Sequence, residues 1–143
     1  MTSPCCSSPA LPRSAVETRD VVFPAQANHR GTLFAGHALA SMARVAWLAA
    51  HGAAGRDVVM AGVTGVQFLA PVAVGQVLTL RAWVSRVGRS SLTVCVRGLA
   101  DVPAAGPEDV LQGVFEMVAV DAHGRPAPID LAPAPAQPET TAP

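Results

Sequence analysis

From Asn28 to Leu39 the chain reads NHRGTLFAGHAL, a polar loop running into an apolar, Ala-rich stretch. Small Gly31, Ala35 and Gly36 let another backbone or a ligand come close. The start of a helix presents unpaired N–H groups and a partial positive charge. A carbonyl oxygen placed there would have its developing negative charge stabilised. His29 and His37 belong to the one side-chain type that titrates unperturbed near neutral pH. Asn28 and Thr32 can hold and orient water, and residues 22–56 contain no carboxylate at all.

The charges are distributed unevenly. All ten basic residues are Arg, and ten acids bring the formal net charge to zero. Residues 22–100 carry a net +6 with Asp57 as their sole acid, and residues 101–143 carry −6. The first half therefore reads as anion-attracting. Zero net charge argues against a general nucleic-acid binder, and 50% hydrophobic residues with 14% charged ones argue against a disordered chain. Apolar stretches are broken by Arg, His, Gly or Pro well before the roughly eighteen residues that span a bilayer. The opening MTSPCCSSPALPRSA has no apolar segment of a secretory signal, so a soluble, cytoplasmic protein is expected. Cys5, Cys6 and Cys95 show no metal-ligand spacing; free thiols and no metal site follow.

The elements that must position these groups fit 143 residues as one domain. Residues 1–15 and the Pro/Ala-rich 131–143 read as disordered tails around a domain at 16–130. Val16–Phe23 suits a first strand closed by Pro24. From about Thr32 to His51 the apolar residues recur at helical spacing, with Gly52 and Gly55 as stops. His37, Ser41, Arg44 and His51 share one face of that helix. Strand-like runs follow at 58–69, 76–87, 90–100 and 110–121, with a tight turn at Gly88–Arg89 and a turn signal at DAHG. The expectation is an α+β domain in which a five-stranded antiparallel sheet curls around one long central helix, the last four strands forming a meander. Positive mean hydropathy with so few charges implies an obligate oligomer.

ANHRGTLFAGHAL resembles the N-x-x-G-x-x-F-G-G signature of hotdog-fold acyl-CoA thioesterases. VQFLAPVAVGQ (66–76), VSRVGRSSLT (84–93) and FEMVAVDAHGRP (115–126) resemble further family blocks, in family order. The resemblance implies the hotdog fold, a double-hotdog homodimer often assembled into tetramers or hexamers, and hydrolysis of acyl-CoA to free CoA and a carboxylic acid. It implies no separate cofactor, since coenzyme A is part of the substrate. The chain departs from the family where relatives often carry a catalytic Asp or Asn directly after the first Gly, here Thr32. It departs again where many carry an acid on the helix, here Ala43 and Arg44; the second signature Gly is Ala35.

With those acids missing, the implied mechanism is water attack on the thioester carbonyl. The Gly36 N–H holds the oxygen, Asn28 and Thr32 position the water, and His37 serves as base; Asp57 and Glu116 are the carboxylates left to consider, including from across a dimer. Plainer roles stand beside these: Thr32 as a helix cap, His37 bonding a neighbour, Asn28 in a turn. The phosphates of coenzyme A call for Arg forks, backbone N–H groups and hydroxyls. The RVGRSS turn supplies them in Arg86, Gly88, Arg89, Ser90 and Ser91, with Arg125 nearby. Leu33, Phe34, Met42 and Phe68 are candidates for an acyl groove. A non-catalytic acyl-CoA-binding or regulatory hotdog module is the alternative function; a hotdog hydratase ranks last for want of an acid on the helix.

Overall fold

The computed structural model describes residues 15–102 and 105–129. The expected tails, apart from Ala15, and Asp130 at the expected domain boundary lie outside the described residues. The chain forms β1 (Val16–Val21), a single 3-10 turn (Pro24–Gln26), α1 (Ala35–Ala54), β2 (Val58–Phe68), β3 (Val77–Val87), β4 (Ser91–Val102) and β5 (Gly106–Ala119). All strand pairs are antiparallel, in the spatial order β1-β3-β4-β5-β2. This is the expected five-stranded sheet around one helix, the hotdog fold.

The four-strand meander is not what forms. Only β3, β4 and β5 follow one another; β2 pairs with β5 at the far edge. Alternating hydrophobicity marks which residues are strand and carries no record of the partner. The connection from β2 to β3 does not close a hairpin. It is held instead by the loop ahead of α1: Leu33 N–H donates to Val72 O at 2.7 Å, and Val74 N–H to Gly31 O at 3.1 Å.

Helix α1 starts three residues later than its sequence pattern suggests and ends three later. Phe34 is its N-cap, with no side-chain cap bond, so Thr32 is not a cap. Gly52 is absorbed within the helix, and Gly55 ends it at φ 68°, a left-handed conformation that favours Gly. Ala38, Met42, Val45, Ala46, Ala49 and Ala50 bury the helix face that meets the sheet. Four small side chains on that face bring the helix axis close to the strands. Phe115, Leu111, Leu92, Val94 and Val96 fill the sheet side of the same core. The opposite face carries exposed His37, Arg44 and His51 with half-buried Ser41, as their shared spacing predicts. Leu39, Trp47 and Leu48 are also exposed in the single chain, so the helix is not buried all round.

The outer face of the sheet holds a second, smaller cluster of Trp83, Cys95 and Val114. Cys95 is disulfide-bonded, which corrects the free-thiol expectation at this position; Cys5 and Cys6 lie outside the described residues. The strand register also lines up Glu17, Arg81, Arg97, Gln112 and Gln67 as one polar row across all five strands. Within it Arg81 pairs with Glu17 at 2.7 Å, and Gln112, 6% exposed, donates to Gln67 at 2.6 Å.

Phe115 is the largest side chain in the fully buried core. Phe115→Ala is expected to lower stability by about 3–5 kcal/mol in urea unfolding. A loss under about 1 kcal/mol would place the ring outside the load of the core.

Candidate active site

The loop before α1 is organised by one amide side chain. Asn28 Oδ1 accepts from Arg30 N–H at 2.9 Å and Thr32 N–H at 3.2 Å, an Asx-type arrangement. The Thr32 hydroxyl accepts from Asn28 Nδ2 at 3.0 Å and lies 3.2 Å from its Oδ1. The main chain closes the same loop through Asn28 N–H to Thr32 O at 2.7 Å. Asn28 and Thr32 are thus brought together, half-buried. Gly36 lies in the first turn of α1, where the amides of residues 35–37 have no intrahelical acceptor. The Phe34 ring lies over it: a Cβ at Gly36 would stand 2.8 Å from Phe34 Cε2. His37 is exposed, edge-on to that ring with centroids 6.2 Å apart.

A cavity of about 360 Å³ opens at this helix start. Asn28 is its polar residue; Leu33, Ala35, Ala38, Phe68, Val72 and Leu111 are among its apolar walls. Of the expected groove residues, Leu33 and Phe68 line it. Met42 does not, being wholly buried beneath the sheet, and Phe34 is turned outward. His37 is not on the cavity wall either.

Two residues that sequence reasoning passed over complete the frame. Gln26 accepts Phe23 N–H on its side chain and Phe34 N–H on its carbonyl, which sets where α1 begins. Gln76 accepts Ala73 N–H and donates to Asp101 O, both at 2.7 Å, fastening the loop that carries Val72 to the end of β4. Their signal is the lone glutamine beside a turn, too common to be read from sequence.

The basic hairpin lies at the other end of the molecule. Gly88 N–H donates to Ser91 O at 2.7 Å, and a Cβ on Gly88 would come within 2.6 Å of Ser91 Oγ. Arg86 and Arg89 are exposed, Ser90 and Ser91 half-buried. Ser91 is in register with Val118, and Val58, just past the end of α1, with Ala119. Helix α1 therefore runs from the Asn28 loop to the level of the hairpin, about 30 Å for twenty residues. Arg81 and Arg97, counted in sequence with the anion-attracting stretch, are committed to Glu17 and Asp109. Glu116 projects from the sheet face away from the helix and accepts from the Thr93 hydroxyl at 2.8 Å. Asp57 follows the C-terminal end of α1. Neither carboxylate stands at the helix start of its own chain.

Beside the hairpin, Asp121 Oδ1 accepts His123 N–H at 2.8 Å and Arg125 N–H at 3.0 Å. The Arg125 and His123 amides, with the nearby Arg56 charge, hold its carboxyl below the ordinary carboxylate range. Among the described residues no group of three or more His, Cys, Asp or Glu is placed to hold a metal ion.

Residues 30–104 match the family model described as the thioesterase superfamily. The uncharacterized acyl-CoA thioester hydrolase YkhA of Bacillus subtilis is 30% identical over 109 residues, 76% of this chain and 63% of its own length. The chain thus spans less than two thirds of that relative. The acyl-CoA thioester hydrolase YciA of Salmonella typhimurium is 32% identical over 128 residues, 84% of this chain and 93% of its own. Among solved structures, an acyl-CoA hydrolase of Staphylococcus aureus, seen with butyryl coenzyme A, coenzyme A and coenzyme A disulfide, superposes with a TM-score of 0.77. It is 32% identical, covering 81% of this chain and 71% of that one. The chain belongs to the thioesterase superfamily.

Two measurements test the local geometry. Asn28→Ala removes the loop's central acceptor and is expected to cost about 1–3 kcal/mol of stability. For Asp121, a lowered folded-state pKa means its contribution is complete above the ordinary carboxylate value and lost as pH falls through the lowered one. The stability gap between the wild type and Asp121→Asn should be constant near neutrality and shrink below about pH 4 in pH-stepped urea melts.

Proposed function

We propose that the protein hydrolyses acyl-CoA thioesters, releasing free CoA and a carboxylic acid, as a homodimer joined through the free edge of β2. One observation carries this reading: the Asn28 loop and the basic hairpin lie at opposite ends of α1. A single chain holds them about 30 Å apart. Antiparallel pairing of two β2 edges would set each helix start against the partner's hairpin end. The β2 edge is suited to that contact, with Val59, Met60 and Val63 exposed on it.

In this arrangement the thioester carbonyl takes the free N–H of Gly36, where the helix dipole favours the developing oxyanion. Asn28 and Thr32 hold the attacking water, and His37 takes its proton. The thiolate leaves with CoA and is protonated to the free thiol. The nucleotide phosphates lie on Arg86, Gly88, Arg89, Ser90 and Ser91, with Arg125 adjacent. The acyl chain enters the cavity walled by Leu33, Phe68 and Val72. A CoA-ester substrate supports a cytoplasmic location for the working protein.

The test is thiol release from a panel of acyl-CoAs. Turnover above background is expected, with His37→Ala lowering kcat at least 100-fold. Arg89→Glu should raise KM for acyl-CoA at least tenfold and spare a short thioester lacking the nucleotide. Tight CoA binding with no turnover of any ester would instead establish a binding module. Full activity of His37→Ala would remove the histidine from the mechanism.

A further inference from the structure

Among the bonds that join the C-terminal end of helix α1 to the hairpin, one path runs through a single peptide plane. Arg56, directly after the Gly55 cap, donates from Nη1 to Pro128 O at 2.9 Å. The N–H on the other side of that same peptide, Ile129 N–H, donates to Arg89 O at 2.8 Å. Ala127 N–H to Ala119 O at 2.9 Å docks the strap that carries it on the end of β5, and Ala119 N–H to Ser90 O at 2.8 Å ties that end of β5 to the hairpin. Ile129 also packs on the core. A charged donor on the carbonyl polarises the peptide and strengthens the bond its N–H makes.

From this we infer that Arg56 is a positioning residue for coenzyme A: it fixes the Arg89 backbone, and so the phosphate-binding hairpin, through the 128–129 peptide without touching the ligand. The inference rests on the proposed role of the hairpin. Nothing in the sequence announces it, since Arg56 and Pro128 are 72 residues apart. Two other positions for Arg56 are open to test. It is a purely structural tie if its loss affects all substrates alike. It is a direct phosphate ligand if its effect is independent of the strap.

The experiment is steady-state kinetics of the full chain on an acyl-CoA and on the same acyl group carried by N-acetylcysteamine, which lacks the nucleotide. Arg56→Ala is expected to raise KM for the CoA ester roughly fivefold to tenfold, with the loss confined to that ester. Arg56→Lys, which restores a charged donor, should recover most of it. Ile129→Pro deletes the N–H at the far side of the peptide and should reproduce the KM defect with Arg56 intact. The double variant should be no worse than the more severe single one, the signature of one shared path. Additive defects would make Arg56 a ligand in its own right, and equal losses on both esters would make it a structural tie; either overturns the inference. Arg89→Glu is the reference. If it shifts KM and Arg56→Ala does not, the positioning role alone falls. If Arg89→Glu leaves KM unchanged, the hairpin's role in binding CoA falls first and this inference with it.

Discussion

The packing of α1 flat along the sheet is the constraint from which the rest of the molecule follows. Its buried face is mostly alanine, with Met42 and Val45 as the larger contacts, so helix and strands approach closely and leave little freedom to tilt. Because that contact persists along the whole helix, twenty residues of α1 set the distance between what lies at its two ends. The Asn28 loop is fixed at the start by Gln26, and Arg56 leaves the end in a direction set by Gly55. Neither the Asn28 loop nor the hairpin has an independent position.

The elements were largely legible. The strands, the helix and the turns at Gly88 and Gly124 follow from period and punctuation, because burial of one sheet face imposes both. Pairing was not legible: β2 reads as the first arm of a hairpin, and only the bonds of residues 72–74 to the Asn28 loop show why it crosses to the far edge. The candidate site divides in the same way. Asn28 and Thr32 were recognisable because their interaction is local, within one turn. Glu116 faces away from the helix of its own chain, which could not be read because alternation gives a face without saying which face meets the helix. Met42 was misplaced because a large apolar side chain on a helix reads the same in a groove and in a core.

Charge shows how a sum over sequence misleads. The basic excess of residues 22–100 is partly an artefact of where the counting stops, since Glu17 and Asp109 lie outside the window and neutralise Arg81 and Arg97 across the strands. Exposed ion pairs of this kind contribute little to stability. What they change is the field. With those two arginines screened, the hairpin pair of Arg86 and Arg89 stands out more sharply than the raw count indicates.

The polar row from Glu17 to Gln67 has a bearing on how the sheet finds its alignment. Successive residues on a strand point to opposite faces, so a slip of one position on β4 would turn the Arg97 guanidinium toward the alanine face of α1. That would bury a charge without a partner, at a cost of several kcal/mol. A slip of β1 or β3 would bury a charge in the same way, through Glu17 or Arg81, and a slip of β5 or β2 would bury an amide, Gln112 or Gln67, at a smaller cost. The row functions as a proofreading mark for strand assembly, and its worth lies in the wrong sheets it excludes.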